Sequence, residues 1–150
     1  MKNDFLLKVI IVQNSSHIHV SPLLRGFFVI HFVADILFAL PLFLCPEWTM
    51  TQFGWTVGTI DPLTVRLVAC ALFGIGIESL LGKNASDQVY LAMLNLKSIW
   101  SVTATISIAW SIMEWKGEVA WGAWLFLLIF SSFCLIWNGY RIHLRRLLNT

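Results

Sequence analysis

Four long apolar runs, separated by short polar links, organise the chain. The first goes from Leu23 to Cys45 and stops at Pro46, whose ring and missing N–H end a helix. The second opens at Asp61-Pro62, a helix-start pair, and ends at Leu81 before Gly82. The third extends from Val89 to Met113 and the fourth from Val119 to Tyr140. Each approaches or exceeds the roughly 20 residues that cross a hydrocarbon layer, where a helix keeps its own backbone groups satisfied. The short links after the second and third runs make chain neighbours antiparallel. The pattern predicts an all-α integral membrane protein, an antiparallel bundle of four transmembrane helices over about 23–45, 62–81, 89–113 and 119–140. Residues 1–22 form a cytoplasmic or interfacial segment ahead of this domain, which occupies 23–150.

Composition agrees, with 58% apolar residues, 12% charged residues and a mean hydropathy of +0.78, outside the soluble range. A formal charge of +2, with no basic run interleaved with aromatics, argues against nucleic acid as a partner. The link charges orient the bundle. Lys2, Lys8, Arg25, Lys83, Arg141, Arg145 and Arg146 fall on one side, against Glu47, Asp61, Arg66, Glu114, Lys116 and Glu118 on the other. The positive-inside rule then places both termini in the cytoplasm and makes this a multi-pass protein of the cell's inner (plasma) membrane. Trp48, Trp55, Trp110, Trp115, Trp121 and Trp124 gather at the outer interface, while Trp137 and Tyr140 mark the inner one.

Several weaker signals carry little. The stretch from Lys2 to Val12 has the outline of a signal peptide, but its apolar core is short and no small-residue cleavage site follows, so it reads as retained. His17 and His19 form an HxH, for which two solvated histidines is the simpler reading, and no metal is expected. Cys45, Cys70 and Cys134 lie far apart in apolar settings and read as small packing residues. Asn84-Ala85-Ser86 matches a glycosylation sequon, but on the cytoplasmic side it is silent.

The chemistry is concentrated where lipid tolerates none. Asp35, Glu78 and Lys97 are ionisable residues inside the apolar runs, each costing roughly 2.5–3.5 kcal/mol at a helix centre on insertion scales. Counted at about 1.5 Å per residue, they lie with His31, Asn95 and Asn138 in the cytoplasmic half. His31 and Asp35 share a face at i,i+4; so do Ala71, Gly74 and Glu78, and further on Lys97, Ser101, Ala104 and Ile108. Ser131, Cys134 and Asn138 give the fourth helix its own polar stripe. Lys97 is expected to contact Asp35 or Glu78, directly or through water, since a stranded ammonium is costly there. The candidate ligand-binding set is His31, Asp35, Glu78, Asn95, Lys97, Trp100 and Asn138, around a cavity in the inner half. Gly74, Gly76 and Ser98 leave room for it, and Trp100 and Trp137 wall it. A purely structural role, in which the charges lock helix register, is the competing reading.

No catalytic residue, cofactor or metal is assigned. Haem held between two histidines needs a second one at matched depth, and His31 stands alone within a run. There is no phosphate loop, nucleophile elbow or HExxH. The layout resembles that of DoxX-type proteins and of the sterol-isomerase and emopamil-binding group, which also places acidic residues and a histidine within its helices, as Asp35, Glu78 and His31 stand here. Small multidrug transporters share the helix number and an acid in the first helix, but their short helices and weak charge bias do not match. The likeness is one of layout and assigns no family. The function expected first is a small membrane protein that binds an amphipathic, lipid-like or quinone-like ligand, or an accessory subunit, as a homo-oligomer or in a larger complex. The alternatives are a proton-coupled oligomeric transporter using Asp35 or Glu78, and a membrane enzyme in which those two acids do acid–base chemistry on a lipid-soluble substrate.

Overall fold

The computed structural model describes residues 21–148, so the HxH at His17 and His19 lies outside the described residues. Five α-helices follow in order: α1 Pro22–Leu44, α2 Pro46–Gln52, α3 Pro62–Leu81, α4 Asp87–Glu114 and α5 Trp121–Leu148. A 3-10 turn, Gly82–Asn84, joins α3 to α4, and there is no strand among the described residues. The four long helices are each long and apolar enough to cross a membrane.

Local chemistry sets the ends. Ser21 Oγ accepts from the Leu23 N–H at 3.3 Å, and Pro22 takes the first helical position, where its missing donor costs nothing. Pro46 closes α1 and starts α2. Thr49 on α2 then shares its hydroxyl between the Pro41 and Cys45 carbonyls at 2.9 and 2.7 Å, a second bond to acceptors that already take the Cys45 and Thr49 N–H groups, and so ties α2 to the end of α1. Asp61 caps α3 by accepting from the Leu63 and Thr64 N–H groups, each at 3.1 Å, and from the Thr64 hydroxyl. α5 continues past Tyr140 to Leu148 because Leu144 is buried in the core and Leu148 packs against it.

The outward faces of the long helices are apolar. Leu37, Leu67, Ile99 and Leu135, one from each, are all more than 60% exposed. Such surface on every helix belongs against lipid rather than water. Cys45 and Cys70 are exposed on this surface, so of the three cysteines Cys134, half-buried, is the one that packs inside.

The closest helix packing is α1 on α3 and α4 on α5. Gly76 makes the first approach possible, since a Cβ there would sit 2.8 Å from the Asp35 Cβ. At the opposite end Gly122 lets the segment after α2 dock on the start of α5. Its N–H donates to the Phe53 carbonyl at 2.9 Å, and an added Cβ would lie 2.5 Å from the Phe53 Cβ. Two apolar clusters form the core, one where α1 meets α4 and α5 and one within the α1–α3 pair. One contains Leu24, Phe28, Tyr90, Met93, Leu94, Trp137 and Leu144, at what we term the arginine end, near Arg25 and Arg141. The other contains Ala39, Leu42, Ala69 and Leu72, toward the tryptophan end, where Trp55, Trp115 and Trp121 gather.

Candidate functional site

A buried polar layer separates the two clusters. Its members are His31 and Asp35 on α1, Ser79 on α3, and Lys97, Ser98 and Ser101 on α4. The i,i+4 spacing brings His31 Nδ1 to 2.8 Å from Asp35 Oδ2, an ion pair when the imidazole is protonated. The approach falls short of an aligned hydrogen bond, and Oδ2 has no hydrogen-bond partner. Phe133 and Trp137 hold the imidazole edge-on, with ring centroids at 4.7 and 5.1 Å.

Lys97 is 1% exposed. Its Nζ donates to Ser79 Oγ at 2.5 Å, and Ser79 in turn donates to the Ile75 carbonyl at 2.6 Å. The ammonium also stands 5.0 Å from the Phe28 ring centre and 5.5 Å from that of Trp137, within cation–π range. Nζ lies 3.5 Å from His31 Nδ1 as well. That nitrogen has one in-plane site, so it either donates toward Asp35 or accepts from Lys97, never both.

The expected direct contact between Lys97 and a carboxylate does not form. Among the described residues, no Asp or Glu oxygen comes within 4.0 Å of Nζ. The reason is the register of α3, whose buried stripe is Ala69, Leu72, Ile75, Gly76 and Ser79 rather than Ala71, Gly74 and Glu78. One residue turns the helix by about 100°. Ser79 therefore meets Lys97, and Glu78 is half-buried beside it with Oε2 unpartnered. Gly74 faces open space. Asn95 belongs to a different contact, accepting from Arg141 Nε at 2.6 Å and Arg145 Nη2 at 3.4 Å between α4 and α5. Asn138 turns back on its own helix and donates to the Cys134 carbonyl at 2.8 Å. Trp137 packs within the arginine-end cluster, while Trp100 lines a cavity.

That cavity, of about 510 Å³, lies between the two helix pairs. It sits on the tryptophan-end side of the polar layer, not in the half where the polar residues are densest. His31 and Asp35 bound one side, and Phe38, Trp55, Trp100 and Phe126 form much of the rest. Both polar residues are more than nine-tenths buried, so the wall they offer is mostly carbon. Glu78, Asn95, Lys97 and Asn138 do not line it. A second, smaller cleft of about 360 Å³ at the tryptophan end shares Trp55, Ile108 and Phe126 with the first. Sequence reasoning missed Ser79, Phe28 and this cleft. A serine or phenylalanine in an apolar run carries no signal of its own, and the cleft depends on how the segment after α2 folds over α5. No group of three or more His, Cys, Asp or Glu residues among the described residues could hold a metal.

No protein-family model, curated protein or solved structure matches this chain. The reading of the site rests on its geometry.

Proposed function

We propose that the chain is a multi-pass protein of the inner (plasma) membrane, its long helices antiparallel and its termini cytoplasmic, that binds a lipid-like or quinone-like molecule between its two helix pairs. The observation that carries this reading is the cavity of about 510 Å³, walled almost entirely by apolar and aromatic side chains from all four long helices. Pockets of a few hundred cubic ångströms with such walls take the apolar body of a small molecule. The acid–base reading loses support, because Asp35 lines the cavity and Glu78 does not.

Ala34 lines the cavity from α1 and is half-buried, so Ala34→Phe fills the space without removing any polar contact. The test is native mass spectrometry of protein purified in a neutral amphipathic polymer. The expected result is a bound lipid-like molecule at one per chain in the wild type, with occupancy reduced about tenfold in Ala34→Phe at unchanged helical content. Equal occupancy in the two proteins would remove the basis of the proposal.

A further inference from the structure

The cavity and the tryptophan-end cleft are neighbours with a common wall. Trp55, Ile108 and Phe126 belong to both, and Trp55 stacks on Phe126 with ring centres 6.1 Å apart. One space is almost wholly apolar; the other contains Ser107, Ser111, Thr56, Thr59 and Glu118. Apolar body and polar mouth are the two halves of an amphiphile's site.

The donor and acceptor inventory of the cleft narrows the head group. Ser111 donates its hydroxyl to the Ser107 carbonyl at 2.8 Å, Thr59 donates to the Thr56 carbonyl at 2.7 Å, and the Trp115 indole N–H donates to the Glu118 carbonyl at 3.1 Å. These hydrogens are spent within the protein, and what the same side chains still offer is lone pairs and an indole face. Glu118 is the one charged residue of the lining, and no Lys, Arg or His joins it. A head group that brings its own positive charge suits such a site. A polyol leaves the carboxylate without a counter-charge, and an anion would meet it with no cation to offset it.

We propose that the cleft is the head-group site for an amphiphile bearing an ammonium, held by Glu118 and by the indoles of Trp55 and Trp115, with its tail passing beside the stacked Trp55–Phe126 pair, along Ile108, into the larger cavity. Indole faces beside a carboxylate are the chemistry that recognises alkylated ammonium groups. The proposal rests on the tail-binding reading given above and specifies the class and direction of the ligand.

The experiment uses the full chain in a neutral amphipathic polymer and three probes with one eight-carbon tail: octyltrimethylammonium, octyl glucoside and octyl sulfate. Tetramethylammonium alone separates a lipid source from a free cation. Affinity is read from the concentration dependence of thermal unfolding. The expected order is octyltrimethylammonium about tenfold tighter than either other octyl probe, and much tighter than tetramethylammonium. Trp115→Leu and Glu118→Gln should each remove most of that preference, by roughly fivefold, while leaving octyl glucoside unaffected. Ala34→Phe should weaken all octyl probes together. Tighter binding of the glucoside or the sulfate overturns the ammonium assignment and leaves the tail cavity standing. Loss of preference on Glu118→Gln with no effect of Ala34→Phe on any probe would instead retain the head-group site and reject the larger cavity.

Discussion

Gly76 and Gly74 sit two residues apart on α3, and the structure gives them opposite roles. A Cβ on Gly76 would lie 2.8 Å from the Asp35 Cβ and 3.3 Å from its Oδ2, so an alanine there must push α3 away from α1 at the polar layer. A Cβ on Gly74 meets nothing within 4 Å. Gly76→Ala is therefore expected to destabilise by about 1–3 kcal/mol, the usual range for overpacking. Gly74→Ala should stabilise by roughly 0.5–1 kcal/mol through helix propensity. Thermal unfolding of the two variants against wild type checks this, and a shift of the same sign in both would remove Gly76 from the helix contact. The sequence reading puts Gly74, with Ala71 and Glu78, on the packed face, and the structure puts Gly76 there instead. Charged residues in apolar runs announce themselves, which is why Asp35, His31 and Lys97 were legible. The face of α3 was not, because a helix nearly apolar all round gives no period to read. The one-residue error there is what put Glu78, instead of Ser79, against Lys97.

The elements were legible to the extent that their punctuation is chemical. Pro22, Pro46, Asp61-Pro62 and Gly82 mark ends that the structure keeps. α2 escaped notice because seven residues opening on a proline look like a link. The fourth apolar run ends at Tyr140 in the sequence, but the helix continues through the arginines because Leu144 holds it to the core. The cap of α3 makes a direct prediction. Asp61 lies outside the membrane-spanning helix, and hydrogen bonds from the Thr64 hydroxyl and from the Thr64 and Leu63 N–H groups hold its carboxyl below the usual carboxylate range. A lowered value in the folded state means that the cap's contribution is complete above the ordinary range and is lost as pH falls through the lowered value. Asp61→Ala should lower the unfolding temperature at neutral pH, and the gap to wild type should close under acid conditions in which Asp61 is protonated. A gap that persists unchanged in strong acid would show that the charge has no part in the cap.

At the scale of the whole molecule, two helix pairs meet across aromatic rings and one buried lysine, and the space they leave becomes the cavity. The sequence indicated four spans and a polar interior but not how the spans pair, since pairing depends on which residue of a uniformly apolar face is small. The charge asymmetry between the links is visible in the sequence. Arg25, Lys83 and Arg141 mark one end, with Asn95 held by Arg141 there, and the six-indole set gathers toward the other. Cations are retained on the cytoplasmic side during insertion, so the arginine end should face the cytoplasm and the cleft with Glu118 the outside. Lys83 and Lys116 are both exposed and lie in links at opposite ends. In a background without Cys45, Cys70 and Cys134, a membrane-impermeant thiol reagent applied to intact cells should label Lys116→Cys and leave Lys83→Cys untouched until the membrane is opened. The reverse pattern would invert the bundle. The ammonium site would then draw on cytoplasmic amphiphiles, and the tail cavity would open toward the inner leaflet instead of the outer one.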